Sequence, residues 1–132
     1  MSAVGYFDGT AEPNSGPASI GIVLTCSNGK TVYEEGRAIE CHTNHEAAYL
    51  ALIALLLKAQ ERGIKRIHIR GDSQLVIQQI TKKWKIKEKR LADLAVPIWI
   101  LVHQEFDHVS FEWVRRGRNQ HADQLSKAAL LR

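Results

Sequence analysis

Eleven consecutive apolar residues, Ala47 to Leu57, stand in the middle of a chain of 132. A membrane-spanning helix needs about 20 such residues, so this run is too short to cross a bilayer, and it is apolar all round like a helix buried in a core. It therefore demands a layer of structure to pack against. Thr43 or Asn44 can cap its start and Gly63 can close it, which predicts a helix from about Asn44 to Arg62.

The flanking sequence supplies the layer. Segments 3–8, 19–26 and 31–40 alternate imperfectly between apolar and polar residues and are separated by the turn-forming stretches AEPNSGP and SNG, which predicts three strands in an antiparallel meander. After the helix, Lys65–Ile69 reads as a further strand, and strand, helix, strand implies a crossover. A second helix is expected over Asp72–Ile80, capped by Asp72 or Ser73, with Leu75, Val76, Gln79 and Ile80 at helical spacing. The charged stretch KKWKIKEKR follows at residues 82–90. A third helix is expected over Arg90–Glu105 with a kink or break near Pro97, then a strand over His108–Val114 and a last helix over Gln120–Leu131. The sequence shows no repeat or linker and predicts a single α/β domain over residues 1–132, with a five-stranded mixed sheet flanked by helices.

Hydrophobic residues make up 45% of the chain and charged residues 24%, a balance that excludes a disordered protein. The start, MSAVGYFDGT, lacks the pattern of a secretory signal, so a cytoplasmic protein is expected. Cys26 and Cys41 have no paired spacing and are expected as reduced thiols in the core. A net charge of +4 favours acidic partners, of which nucleic acid is the commonest.

If strands one and four are parallel neighbours, Asp8 at the end of one and Asp72 after the other share a crevice at the carboxyl edge of the sheet, where open α/β sheets bind ligands. Taken singly, Asp8 also reads as a turn residue before Gly9, Asp72 as a helix cap and Asp123 as a surface residue. Lys82, Lys83, Lys85, Lys87, Lys89 and Arg90 put six cations within nine residues beside Trp84, a pattern that suits either a nucleic-acid contact or a solvated helix end. Arg115, Arg116 and Arg118 form a second basic group near Asp123, able to bind nucleic acid or to offset the carboxylates.

Three stretches, FDGTAEPNSGPASIG, GDSQLVIQQI and WVRRGRNQHADQLSKAAL, resemble in order and spacing the motifs of the type 1 ribonuclease H family, and the resemblance covers nearly the whole chain. It implies a ribonuclease H-like fold with Asp8, Asp72 and Asp123 as metal ligands. It places Asn14, Ser15 and Gly16 in a turn near the nucleic-acid backbone, and Gln74 within reach of a minor-groove edge. Thr43 and Asn44 resemble the family's backbone-binding pair, although a fold-only reading makes them a helix cap. Arg116 matches an arginine implicated in catalysis in the compact subgroup, and Asn119 a recurrent residue of the last motif near the nucleic acid. The basic helical protrusion of the longer enzymes is missing. His121 lies inside the last motif and reads as a helix-surface residue.

The second motif departs from the family pattern. There the order is Thr-Asn-Asn, two variable residues, then Glu; this chain has Thr43, Asn44, His45, Glu46, Ala47 and Ala48, while Tyr49, Ala51 and Leu52 keep the register. Glu46 is the nearest substitute, but two residues along a helix turn a side chain by about 200°. Catalysis in the family uses two divalent ions about 4 Å apart. The glutamate would ligate the second ion and contact the ribose 2′-hydroxyl. Mg²⁺ or Mn²⁺ is therefore expected to bind weakly or as a single ion. The expected function is binding of RNA/DNA hybrid, and of duplex or single-stranded nucleic acid, with little or no cleavage. The alternatives are a slow or rearranged Mg²⁺/Mn²⁺-dependent ribonuclease H and a non-catalytic protein-interaction module.

Overall fold

The computed structural model describes residues 2–131, the side chain of Cys41 excepted; the expectation for that thiol lies outside the described residues. Strands β1 (Ser2–Ala11), β2 (Gly16–Cys26) and β3 (Thr31–His42) form the meander. Helix α1 (Asn44–Glu61), β4 (Arg66–Gly71), α2 (Gln74–Ile80), α3 (Lys89–Glu105), β5 (His108–Trp113) and α4 (Gln120–Leu130) follow. The sheet order is β3-β2-β1-β4-β5. The first two pairings, β1 with β2 and β2 with β3, are antiparallel, whereas β1–β4 and β4–β5 are parallel. This is the mixed sheet that the turn spacing and the crossovers require.

The apolar run becomes the centre of the core. Leu52, Leu55 and Leu56 of α1 are fully buried, with Phe7, Ile22 and Ile69 of the sheet in the same cluster. Each such side chain contributes on the order of 2 kcal/mol on burial. Two glycines let helices touch the sheet backbone to backbone. A Cβ on Gly9 would collide with the backbone of Ala47 and Ala48, and one on Gly21 with the carbonyl of Ala122. Helix α1 is thereby seated on one face of β1 and α4 on the other face of the sheet. Because Asp8 pairs with Gly21, its side chain lies on the α4 face.

Three expectations need correcting. β1 does not end at Asp8; antiparallel pairing with β2 carries it on to Ala11 opposite Ala18. Helix α3 runs unbroken through Pro97. Cys26 is partly exposed at the end of β2, where its thiol donates to Asn28 Oδ1 at 3.1 Å, so it is not a core residue. Among the described residues no helix is long and apolar enough to cross a membrane.

Candidate functional site

The parallel pairing of β1 with β4 ends at Phe7 opposite Gly71. The next residue on each strand is an aspartate, so Asp8 and Asp72 emerge side by side at the carboxyl edge of β4. Ser73 caps α2, its Oγ accepting from Val76 N–H at 3.4 Å, which leaves the Asp72 carboxyl free of capping duty. Trp113 Nε1 donates to the Asp72 carbonyl at 3.2 Å and fixes its backbone. The third aspartate arrives on α4. Asn119 Nδ2 donates to Phe7 O at 2.9 Å, pinning the start of α4 to β1, and Asp123 lies one turn further on.

Asp8, Asp72 and Asp123 line one cleft of about 370 Å³ together with Ala48, Asn44 and Arg116. Asp8 is 7% exposed. Burial, then the charge of Asp72 and hydrogen bonding to Asp123, push its pKa from 3.8 up to about 8. Arg116 Nε stands 3.5 Å from Asp72 Oδ2, and Lys127 Nζ 3.1 Å from Asp123 Oδ2. Asp72 Oδ2 is buried without a hydrogen-bond partner. A carboxylate oxygen that makes no hydrogen bond and is met only by the Arg116 ion pair, among further carboxylate oxygens, suits a hard divalent cation. Asp8, Asp72 and Asp123 are the residues that could hold it. Among the described residues no three His, Cys, Asp or Glu side chains are already closed round one point, so an ion there would complete its shell with water or phosphate oxygens.

The raised pKa has a measurable consequence. Protonated Asp8 favours the folded state; that stabilisation is complete below about pH 4 and is lost as pH rises through about 8. Asp8→Asn fixes the neutral form. In EDTA the variant is expected to be more stable than the parent at pH 9 by a few kcal/mol, a difference that vanishes near pH 4. Thermal unfolding across that range checks it.

Ala48 of α1 also lines the cleft. The seating of α1 on Gly9 aims Ala48 into the cleft, where only its methyl contributes. The Glu46 carboxyl is engaged elsewhere. Its Oε1 accepts from Thr43 N–H at 2.8 Å while Thr43 Oγ1 accepts from Glu46 N–H at 3.1 Å, a reciprocal cap. Its Oε2 lies 3.4 Å from Arg90. The Thr43 backbone N–H holds the Glu46 carboxyl below its ordinary pKa. Glu46→Ala is expected to lower stability by about 1 kcal/mol through loss of the cap and to leave Mn²⁺ affinity unchanged by calorimetry.

The other expected contact residues divide. Asn44 lines the cleft and its Oδ1 accepts from Ala11 N–H at 2.6 Å; its own backbone N–H donates to Asn14 Oδ1 at 2.9 Å, so the turn holding Asn14, Ser15 and Gly16 sits at the start of α1. Thr43 serves the cap, and Gln74 is exposed in the first turn of α2. Arg116 opens an unforeseen 3₁₀ turn, Arg116–Arg118, at the rim. Asn119, expected near the nucleic acid, is 1% exposed, with its Nδ2 bonded to Phe7 O. Lys82, Lys83, Trp84, Lys85 and Lys87 are exposed on the loop joining α2 to α3, between the cap of α2 and the first turn of α3. The Arg90–Glu46 pair brings the end of that stretch beside the first turn of α1. Helix-surface His121 lies 3.2 Å from Glu34 of β3. Sequence reasoning missed Lys127 and Glu12, which also line the cleft. The i,i+4 spacing from Asp123 was a signal for the first; the turn around Glu12 held none.

A fold of this order with three clustered aspartates at its switch point defines a class, the ribonuclease H-like domains. Residues 6–129 match the family model described as "Reverse transcriptase-like". Ribonuclease HI of Halobacterium salinarum is 42% identical over 125 residues, 95% of this chain and 62% of that protein. A bifunctional protein of Mycobacterium tuberculosis is 37% identical over 131 residues, 98% of this chain and 36% of its own length. The chain thus spans less than two thirds of these relatives. The crystal structure of the Halobacterium salinarum RNase H1 superposes with a TM-score of 0.96 at 40% identity over 98% of both chains. LC11-RNase H1, solved in complex with an RNA/DNA hybrid, gives 0.92 at 32% identity over 97% of this chain and 96% of that one. The chain belongs to the type 1 ribonuclease H family.

Proposed function

We propose that the protein binds RNA/DNA hybrid across the aspartate cleft and the basic α2–α3 loop, and that it cleaves the RNA strand very slowly or not at all. The observation that carries this reading is the methyl of Ala48 in the cleft wall where the family pattern has glutamate, with the carboxylate of Glu46 engaged in the α1 cap. The aspartates fit one divalent ion, Mg²⁺ or Mn²⁺, which would neutralise phosphate charge and polarise the scissile ester. Without a carboxylate at 48 a second ion and the ribose 2′-hydroxyl would lack the ligand that the glutamate of the family pattern supplies. Binding depends on many residues and is retained: the loop lysines and Arg116 attract phosphate, and Asn14 and Asn44 hold the cleft lip in shape.

Fluorescence anisotropy with labelled hybrid tests it: affinity is expected to fall steeply between 50 and 200 mM salt. The absence of binding at low salt would overturn it, as would brisk specific cleavage. Glu12 gives a specific reason to keep a second reading, a slow Mn²⁺-preferring nuclease, because it adds a fourth carboxylate to the cleft lining. Under that reading Glu12→Gln abolishes residual turnover; under the first it changes nothing measurable.

A further inference from the structure

Helix α4 packs over β2, β3 and β1 and leaves the β4–β5 half of its sheet face largely bare. His68 and Arg70 stand on that half, in register with Val4 and Tyr6 of β1, and Ser110 and Glu112 of β5 lie opposite them. The four side chains are joined. His68 Nδ1 is 2.7 Å from Ser110 Oγ and His68 Nε2 is 2.7 Å from Glu112 Oε1. Arg70 Nε donates to the same Glu112 oxygen at 3.0 Å and Arg70 Nη1 to the Tyr6 hydroxyl oxygen at 3.1 Å.

These bonds have a direction. Hydrogen bonds from His68 and then from Arg70 hold the Glu112 carboxyl below its ordinary pKa, so its oxygen accepts as an anion. The neutral His68 ring therefore carries its hydrogen on Nε2 and leaves Nδ1 as an acceptor, to which the Ser110 hydroxyl donates. A hydroxyl whose proton points at an imidazole oriented by a carboxylate is the arrangement that activates a serine nucleophile. A donor for an oxyanion stands beside it. His108 and Val114 N–H donate inward to Lys65 O and Gly71 O of the β4 side, which turns the N–H groups of the odd-numbered residues of β5 to the outer edge. Among the described residues no strand pairs with that edge, so the N–H of Phe111, next to Ser110, is open.

We propose that Ser110, His68 and Glu112 form an acyl-transfer site for short activated carboxylic esters, separate from the aspartate cleft and independent of the nucleic-acid reading. Ser110 is the nucleophile, His68 the general base and Glu112 the residue that positions the imidazole. Ser110 Oγ attacks the ester carbonyl carbon while its proton passes to His68 Nδ1, and the Phe111 N–H meets the oxyanion. The bond to the leaving oxygen then breaks, and the His68 proton goes to that oxygen. Water, deprotonated by His68, attacks the acyl-serine, releases the carboxylic acid and restores the Ser110 hydroxyl. The face is open and without a deep pocket, so the acyl group it takes is small.

The test is p-nitrophenyl acetate hydrolysis by the metal-free protein, with the acetylated residue located by peptide mass spectrometry and thermal unfolding measured on the same samples. The parent is expected to release nitrophenol in a burst that matches the acetyl group found on Ser110. Ser110→Ala and His68→Gln are each expected to lower the burst rate about a hundredfold or more at a nearly unchanged unfolding midpoint. Glu112→Gln keeps an acceptor for His68 but removes the charge that balances the imidazolium; kcat is expected to fall about tenfold or more with KM unchanged. Ser110→Cys should retain the burst and hold the acetyl group as a thioester. Acetylation of the parent only at lysines or at His68 overturns the site, as does Ser110→Ala with the parent's burst. The location of the acetyl group on the parent decides the matter even where a variant fails to fold.

Discussion

Ala48→Glu is expected to raise the rate of hybrid cleavage in saturating Mg²⁺ by about a thousandfold or more. Position 48 already faces the three aspartates, because the close seating of α1 on Gly9 fixes the helix rotation and its height on the sheet. A carboxylate there would add a ligand for a second ion and an acceptor for the ribose hydroxyl. Groups acting on charge that develops in the transition state are each worth several kcal/mol, and about 4 kcal/mol corresponds to that factor. The same substitution should have an opposite effect on stability. Without metal it adds a negative charge beside Asp8, whose pKa is already raised to about 8 by burial and then by the charge of Asp72. The metal-free variant is therefore expected to unfold at lower temperature than the parent at pH 9, with Mg²⁺ reversing the order. Equal cleavage by parent and variant would show that the parent site is complete by other means.

Gly9→Ala is expected to be the most damaging small substitution in the fold. The added methyl would occupy the space of the Ala47–Ala48 backbone, and backbone, unlike the end of a flexible side chain, cannot swing aside. Helix α1 would have to lift from β1, separating the best-buried leucines from the sheet and withdrawing position 48 from the cleft. Overpacking of this kind costs about 3 kcal/mol or more, so the melting midpoint should fall by about 10 °C. Glycine to alanine in an open strand would have the opposite sign, which makes thermal unfolding decisive.

The elements were legible because periodicity and punctuation agree along this chain. An eleven-residue apolar run bounded by Thr43 and Gly63 admits little except a buried helix, and Gly, Pro, Asn and Ser clusters mark the strand ends. Boundaries were less legible where partners decide them. β1 extends to Ala11 because β2 supplies hydrogen bonds there, a fact about Ala18 and its neighbours more than about β1 itself. The cap of α2 could not be assigned from residue type, since Asp72 and Ser73 both cap well; Ser73 takes the role and frees Asp72 for the cleft. The three aspartates were readable through motif spacing, but the burial of Asn119 was not, because an asparagine at a helix start looks the same whether it faces solvent or donates to Phe7 O. Lys82 was visible only as one charge among many. Its left-handed backbone has no signal in residue type, because glycine is the usual occupant of that position.

On the proposed function, contact with the hybrid is spread over the cleft lip and the basic loop, whereas cleavage would depend on the few carboxylates of the cleft, where position 48 carries alanine. Single-turnover cleavage of a labelled RNA/DNA hybrid by excess parent protein, titrated with Mg²⁺ and Mn²⁺, tests that separation most directly. The expected result is a saturated complex, confirmed by anisotropy in the same tube, in which the RNA strand stays essentially intact at every metal concentration. Complete metal-dependent cleavage of the bound RNA within seconds would contradict it.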